Sequence, residues 1–504
     1  MHLSHNTRGT SAEWSVVLGA VVLLGVAPMV GLGGSYASSI AGSTRGATMR
    51  PTASTPTPSR GTAVGAQAAG GTLVRALAAR AGDVTSWFVR DARLKPPMGD
   101  LWLEPSAVSS EARAAGVPSR FVVAPGAREL HGSLIDTLAT NLTRGDQLAD
   151  DVVSAMQGLS KEERNALIDR ALDVRGVPPE TPEAVRAPLG ALMKQVNTVP
   201  EWVDWKNIDR GADTMVRTGP AGLVSLMGYS LPLTYTSPAG VKPLVWTKDL
   251  LEQTPRRLAE TLDFVTKTST RGSLRPGADG WRTTVRVRLI HAQVRHALSN
   301  MPHWDAGAWG TPINQTEMVG TNLAFSSIFM DGTRKLGARY TPAEAQSIMD
   351  LWRYSGYLLG VDEPLLARSD TQGRRIAAAI LATQAPPNED SRRLIEALTR
   401  VSLTANPPAA LGDVQRSMTH YLIGDYYANE LNLTADVGRD AARATVPAAG
   451  RSADLLRGLP FGNRVSVRSG RLLWKSITKG LLGKNPSEFL IPEHGQGVRS
   501  AALP

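Results

Sequence analysis

Trp281-Arg282-Thr283-Thr284-Val285-Arg286-Val287-Arg288-Leu289-Ile290-His291-Ala292-Gln293-Val294-Arg295-His296-Ala297-Leu298-Ser299 is the stretch on which the fold turns. Its apolar residues recur three and four apart, the spacing of an α-helix with one face inward. On such a helix the face of His291 carries Val287, Arg288, Val294, Arg295 and Leu298. Aliphatic and guanidinium groups therefore surround a single imidazole.

The same spacing recurs outward from this stretch, at 134–148, 151–172, 182–196, 248–268, 341–359, 374–385, 391–403 and 411–431. Strand-like alternation is scarce, and no repeat of about 20–50 residues appears. The expected class is all-α. The 504 residues, 42% hydrophobic and 20% charged, are ample for a deep core and exclude both a disordered chain and a polytopic membrane protein. The formal charge of +10 is scattered among acids, so no nucleic-acid partner is expected, although anionic lipid could be drawn to such a surface. The absence of cysteine excludes disulfides, thiolate catalysis, Cys-ligated zinc, iron–sulfur clusters and covalently attached haem.

Near the N-terminus, Arg8 precedes an apolar run over 14–32, followed by Ser35-Tyr36-Ala37. This is the layout of a signal peptide cleaved after Ala37, or of a retained membrane anchor, with an apolar N-terminus of no targeting role as a further alternative. The protein is accordingly expected to be exported, periplasmic or extracellular, or else membrane-anchored. Residues 38–71 are Ser, Thr, Gly, Ala and Pro with almost no large apolar side chain, and read as a disordered linker. At the other end, Arg464, Arg468, Arg471, Lys475, Lys479 and Lys484 interleave with Leu472, Leu473, Trp474, Ile477, Leu481 and Leu482. Such a basic amphipathic helix either docks on its own domain or makes membrane-surface contact.

No phosphate-binding loop, nucleophile elbow, paired-histidine zinc motif or dinucleotide fingerprint occurs in a supporting context. His291 and His296 are five apart and fall on different helix faces, which disfavours a two-histidine metal site. His291 alone suits an axial haem ligand, with Arg288 and Arg295 as cationic partners for the propionates. A structural histidine satisfies the same spacing. Arg257 and Thr261, four apart beside Phe264 and Val265, could form a polar corner of an apolar pocket. An exposed arginine and a threonine bonded to its own helix fit as well.

Several segments in order resemble a known family: Pro200-Glu201-Trp202-Val203-Asp204, Asp209-Arg210-Gly211, Arg256-Arg257-Leu258-Ala259-Glu260-Thr261 and Val287-Arg288-Leu289-Ile290-His291-Ala292-Gln293-Val294-Arg295. The series continues through Pro312-Ile313-Asn314-Gln315, Phe325-Ser326, Leu336-Gly337 and Leu351-Trp352-Arg353-Tyr354-Ser355-Gly356-Tyr357-Leu358-Leu359-Gly360-Val361. Together they resemble the rubber oxygenase catalytic domain of bacterial latex-clearing proteins and endoplasmic-reticulum-bound MpaB-type oxygenases. The resemblance implies a globin-like helical core with additional helices. It makes His291 the proximal iron ligand of a noncovalent haem b, and Arg257 and Thr261, as the catalytic candidates, required parts of the haem pocket. Dioxygen and an apolar small-molecule or polymer substrate would be the partners.

Two positions depart from the family. Glu260 stands where latex-clearing proteins carry a lysine, and the family's proposed glutamate base would fall near Val241, within a segment, 235–244, that contains no acid. Both departures weaken the case for polyisoprene itself. The resulting expectation is a haem-dependent oxygenase that oxidises or cleaves an unsaturated isoprenoid or lipid. The alternative is a non-catalytic haem- or lipid-binding protein of the same fold. The expected organisation is a signal peptide or anchor at 1–37, a linker at 38–71, an N-terminal helical region at 72–199 packed on the core, the haem-binding oxygenase-like core at 200–440, and the basic extension at 441–504.

Overall fold

Helix begins where a side chain can satisfy the first free backbone N–H groups, and several such caps set the element boundaries. The computed structural model describes residues 109–246 except 115, 120 and 125, then 250–400, 410–433, 462–483 and 489. The targeting segment expected at 1–37 and the linker at 38–71 lie outside these residues. The helices of eight or more residues are α1 (Leu134–Asn141), α2 (Gln147–Ala155), α3 (Lys161–Val174), α4 (Glu183–Asn197), α5 (Trp205–Val216), α6 (Leu250–Thr268) and α7 (Asp279–Ser299). They continue as α8 (Gln315–Phe325), α9 (Ser327–Lys335), α10 (Pro342–Leu358), α11 (Asp370–Leu381), α12 (Glu389–Arg400), α13 (Ala410–Ile423) and α14 (Gly462–Leu482). No strand occurs among the described residues, so the all-α expectation holds.

Two helices expected to be continuous are each divided. The run over 151–172 breaks because Ser160 and Glu163 form a capping box that starts α3 afresh. The run over 411–431 breaks at Gly424, which holds a positive φ between α13 and a short helix, Asp425–Glu430. Conversely, α5, α8, α9 and the helical stretch 220–234, with its π-turn at Leu226–Ser230, escape the periodicity reading. α8 and the 220–234 stretch are covered on several sides, so no single apolar stripe marks them; α8 buries Gln315, Thr316 and Asn322 as well as Val319 and Leu323. α5 and α9 do have one-sided faces, but these bury Asp209, Thr214, Asp331 and Thr333 among the apolar residues.

One continuous apolar core runs from Leu138 to Ile477 through most of these helices. Within it, α5 lies along α10, and Gly211 presses against the Ser347 carbonyl so closely that any Cβ would collide with backbone. The basic C-terminal helix docks in the same manner, Gly470 meeting the Val216 carbonyl. Trp474 beside it is fully buried and donates through Nε1 to the Gly219 carbonyl at 3.0 Å, while Arg471 bonds Asp213 at 2.7 Å. Docking on its own domain is thus what α14 does. Its outer face retains Val465, Leu472, Arg464, Arg468, Lys475 and Lys479 in solvent. No helix of the described residues is long and apolar enough to cross a membrane.

Candidate functional site

The long helix α7 divides its sides by charge. Arg288 and Arg295, seven apart, lie on one side, and Val287, His291 and Val294 on the other. The arginine side meets α2, where Asp146 and Asp150 are one turn apart. Arg288 makes a bidentate pair with Asp146 at 2.6 and 2.8 Å and also bonds Gln195 at 2.6 Å. Arg295 holds Asp150 at 2.8 Å and donates to the Ile313 carbonyl at 2.7 Å. Both arginines are almost completely buried.

The placement expected for Arg288 and Arg295, as partners of cofactor propionates, is therefore corrected. Neither lines the cavity that His291 faces, because the two aspartates of α2 draw both guanidinium groups to the opposite side. What the sequence offered as an anion site acts as a clamp between helices.

On the other side of α7 opens a cavity of about 440 Å3. Val287, Ile290, His291 and Val294 supply one wall, and Arg257, Glu260, Thr261 and Phe264, on one face of α6, supply another. Phe264, Phe325 and Trp352 form an aromatic floor, with Phe325 stacked on Trp352 at 4.9 Å between centroids and Phe264 edge-on to both. Of the five residues expected at the site, His291, Arg257 and Thr261 share this cavity. His296 does not line it.

Burial holds the His291 imidazole well below its ordinary proton affinity, to about 4, with the positive charge of Arg295 adding to the effect and Asp146 opposing it. At neutral pH the ring is uncharged. Its Nδ1 is buried without a hydrogen-bond partner. Among the described residues no three His, Asp or Glu side chains gather to hold a bare metal ion. A lone neutral imidazole could instead serve a metal that brings its other ligands in a macrocycle.

The polar corner is built as follows. Thr261 Oγ1 donates to the Arg257 carbonyl at 3.0 Å, the back-bonded arrangement open to a helical threonine, while its side chain still borders the cavity with Arg257. Glu260 pairs with Arg256 at 2.9 Å and is about one-third exposed. The Tyr235 hydroxyl, pushed up to about 12 by burial against the opposing charge of Arg257, stays protonated and remains a donor.

Sequence reasoning missed Glu317. It occupies the third position of α8, behind the cap residue Asn314, whose side chain accepts from the Glu317 N–H at 3.0 Å. Asn-x-x-Glu ahead of an apolar run is a helix-start pattern and could have placed the residue on a first turn. Nothing local says that this turn faces a cavity. Ile313, just before the cap, holds φ at 50°, which costs a β-branched residue roughly 1–3 kcal/mol. The Arg295 bond to its carbonyl helps hold that turn in place.

Residues 205–455 match the family described as ER-bound oxygenase mpaB/B'/Rubber oxygenase, catalytic domain. A rubber oxygenase of Streptomyces sp. (strain K30) is 26% identical over 264 residues, which are 51% of this chain and 61% of that protein. The match thus spans about three-fifths of that curated relative's length. Among solved structures, latex clearing protein in its closed state superposes with a TM-score of 0.55 at 21% identity, over 67% of this chain and 91% of the other. At that identity the likeness establishes a shared fold.

Proposed function

The chain belongs, through residues 205–455, to the mpaB/rubber oxygenase catalytic-domain family, and on that premise we propose that it is a haem-dependent oxygenase acting on an unsaturated apolar molecule, an isoprenoid or lipid. The observation that carries this reading is His291: a neutral imidazole with an unpartnered Nδ1 on the wall of an apolar cavity. These residues fit a noncovalent haem b, with His291 as its protein ligand to iron. When bound, the haem would supply the redox chemistry with dioxygen that no side chain here can provide. Arg257 is the cation on the cavity wall and takes the anion-binding part first expected of Arg288 and Arg295.

The protein's share of the work is binding, orientation and exclusion of water. Phe264, Phe325 and Trp352 offer broad apolar surface to a substrate without charge. Thr261 and Tyr235 provide hydroxyl groups near the polar corner. In our reading the chain is exported or membrane-anchored through residues 1–37, which would bring it to such substrates outside the cytoplasm.

The test is purification with ample haem, followed by absorption spectroscopy and by oxygen uptake with squalene, oleic acid and polyisoprene in parallel. A Soret band and uptake yielding carbonyl products from an olefin are expected. A colourless protein would overturn the haem assignment. Bound haem without uptake on any of the three would favour a haem- or lipid-binding module.

A further inference from the structure

Two carboxylates border the cavity, and they differ in partnership. Glu260 is neutralised by Arg256 on its own helix. Glu317 has no salt bridge among the described residues. Its Oε1 lies 3.6 Å from the point a Cβ on Gly240 would occupy, so the carboxyl group sits directly against the backbone of the 235–244 segment. Glu317 thus supplies an acidic group next to the 235–244 segment, which has none in its own sequence.

We propose that Glu317 is the proton donor of the cavity, delivering a proton to a substrate-borne oxygen and recovering it before products leave. The role rests on the oxygenase reading above. In cleavage of an olefin by dioxygen, the C=C and O–O bonds break and two C=O bonds form; dioxygen is the oxidant, and no proton is gained or lost overall. A proton lent during the reaction must therefore be returned. On donation the carboxyl O–H bond breaks with its electron pair left on Glu317, and a new O–H bond forms on the oxygen attached to substrate carbon. Formation of the carbonyl reverses that transfer.

The surroundings suit a group that must hold both states. Burial raises the Glu317 carboxyl to about 7, opposed by hydrogen bonds from Asn314 and the Ile313 backbone and by the charge of Arg295. A group poised near the working pH can both give and take a proton. The other charged or titratable groups on the cavity wall are Arg257 and Glu260 from α6, His291 from α7, and Tyr235. α10 and α11 contribute no charged side chain to it.

The experiment has a spectroscopic arm and a kinetic arm. In haem-free protein, infrared titration of carboxyl groups should show one protonated carboxyl that ionises near neutrality and is missing from Glu317→Gln. In haem-loaded protein with squalene, Glu317→Gln should retain its haem and lose roughly 100-fold or more of kcat. The parent's oxygen uptake should fall as pH rises through neutrality, and this limb should be absent from the variant's profile. Glu317→Asp, which keeps the acid on a shorter stem, should retain a titrating carboxyl and part of the rate.

Titration of Glu317 in the ordinary carboxylate range would overturn the proposal. So would an unchanged rate and pH profile in Glu317→Gln beside an active parent. A haem-loaded parent that consumes no oxygen with any olefin would overturn the oxygenase reading and this role together, whereas loss of the proposal alone leaves the parent active.

Discussion

At the scale of single residues, similar side chains on one helix do opposite work according to what the neighbouring helix presents. His291 faces apolar walls, while His296 lies off the cavity on the same helix. If His291 is the only protein link to haem iron, His291→Ala abolishes or strongly depletes haem, and His296→Ala leaves it bound. Pyridine-haemochrome quantitation checks this, and equal haem in the two variants would remove the assignment. Arg288 tests the corrected placement. Arg288→Ala leaves Asp146 buried and unpaired, a change that costs about 3–5 kcal/mol. Replacing both partners, Arg288→Met with Asp146→Ser, retains a cap for α2 and removes both charges, so urea unfolding should recover most of that loss. A double variant as unstable as Arg288→Ala would contradict the clamp.

At the scale of elements, helix junctions depend on glycines and caps more than on the apolar stripe. α14 is positioned by a backbone contact at Gly470, the buried Trp474 and the Arg471–Asp213 pair. Trp474→Ala empties a fully enclosed site and should cost about 3–5 kcal/mol in thermal or denaturant unfolding. The exposed Leu472→Ala, on the outer face of the same helix, should change stability by no more than about 0.5 kcal/mol. Comparable losses from the two would mean that α14 is not docked through Trp474. The α8 N-terminus shows the same dependence on neighbours, since its cap is local while its exposure to the cavity comes from α6, α7 and the 235–244 segment.

At the scale of the whole molecule, the cavity shifts two groups in opposite senses, and their effects on stability oppose each other. His291 has a folded value of about 4, below its ordinary 6.5, so its contribution is fully present above pH 6.5 and is lost as pH falls toward 4. Glu317 has a folded value of about 7, above its ordinary 4.5, so its contribution is fully present below pH 4.5 and is lost as pH rises to 7. Each slope is at most about 1.4 kcal/mol per pH unit, and between pH 4.5 and 6.5 they largely cancel. In haem-free protein, Glu317→Gln should therefore gain stability relative to the parent as pH rises from 4.5 to 7. His291→Gln should gain relative to the parent as pH falls from 6.5 to 4. Differences from the parent that stay flat across these windows would show that the cavity leaves the two groups unshifted.

The helical class is legible in the sequence, because three-and-four periodicity follows from the geometry of one helix and needs no knowledge of its neighbours. The sequence also brought forward His291, Arg257 and Thr261, through a helix face and an ordered set of short motifs, and the basic character of α14. Where Arg288 and Arg295 point follows from packing, since the acids that draw them lie at the cap and in the first turn of α2, more than a hundred residues earlier in the chain. Only packing placed Glu317 on the cavity wall beside Gly240. Helix geometry is local, so it is legible residue by residue; ion pairing and burial depend on which distant segments pack together, and those contacts form only in the folded chain.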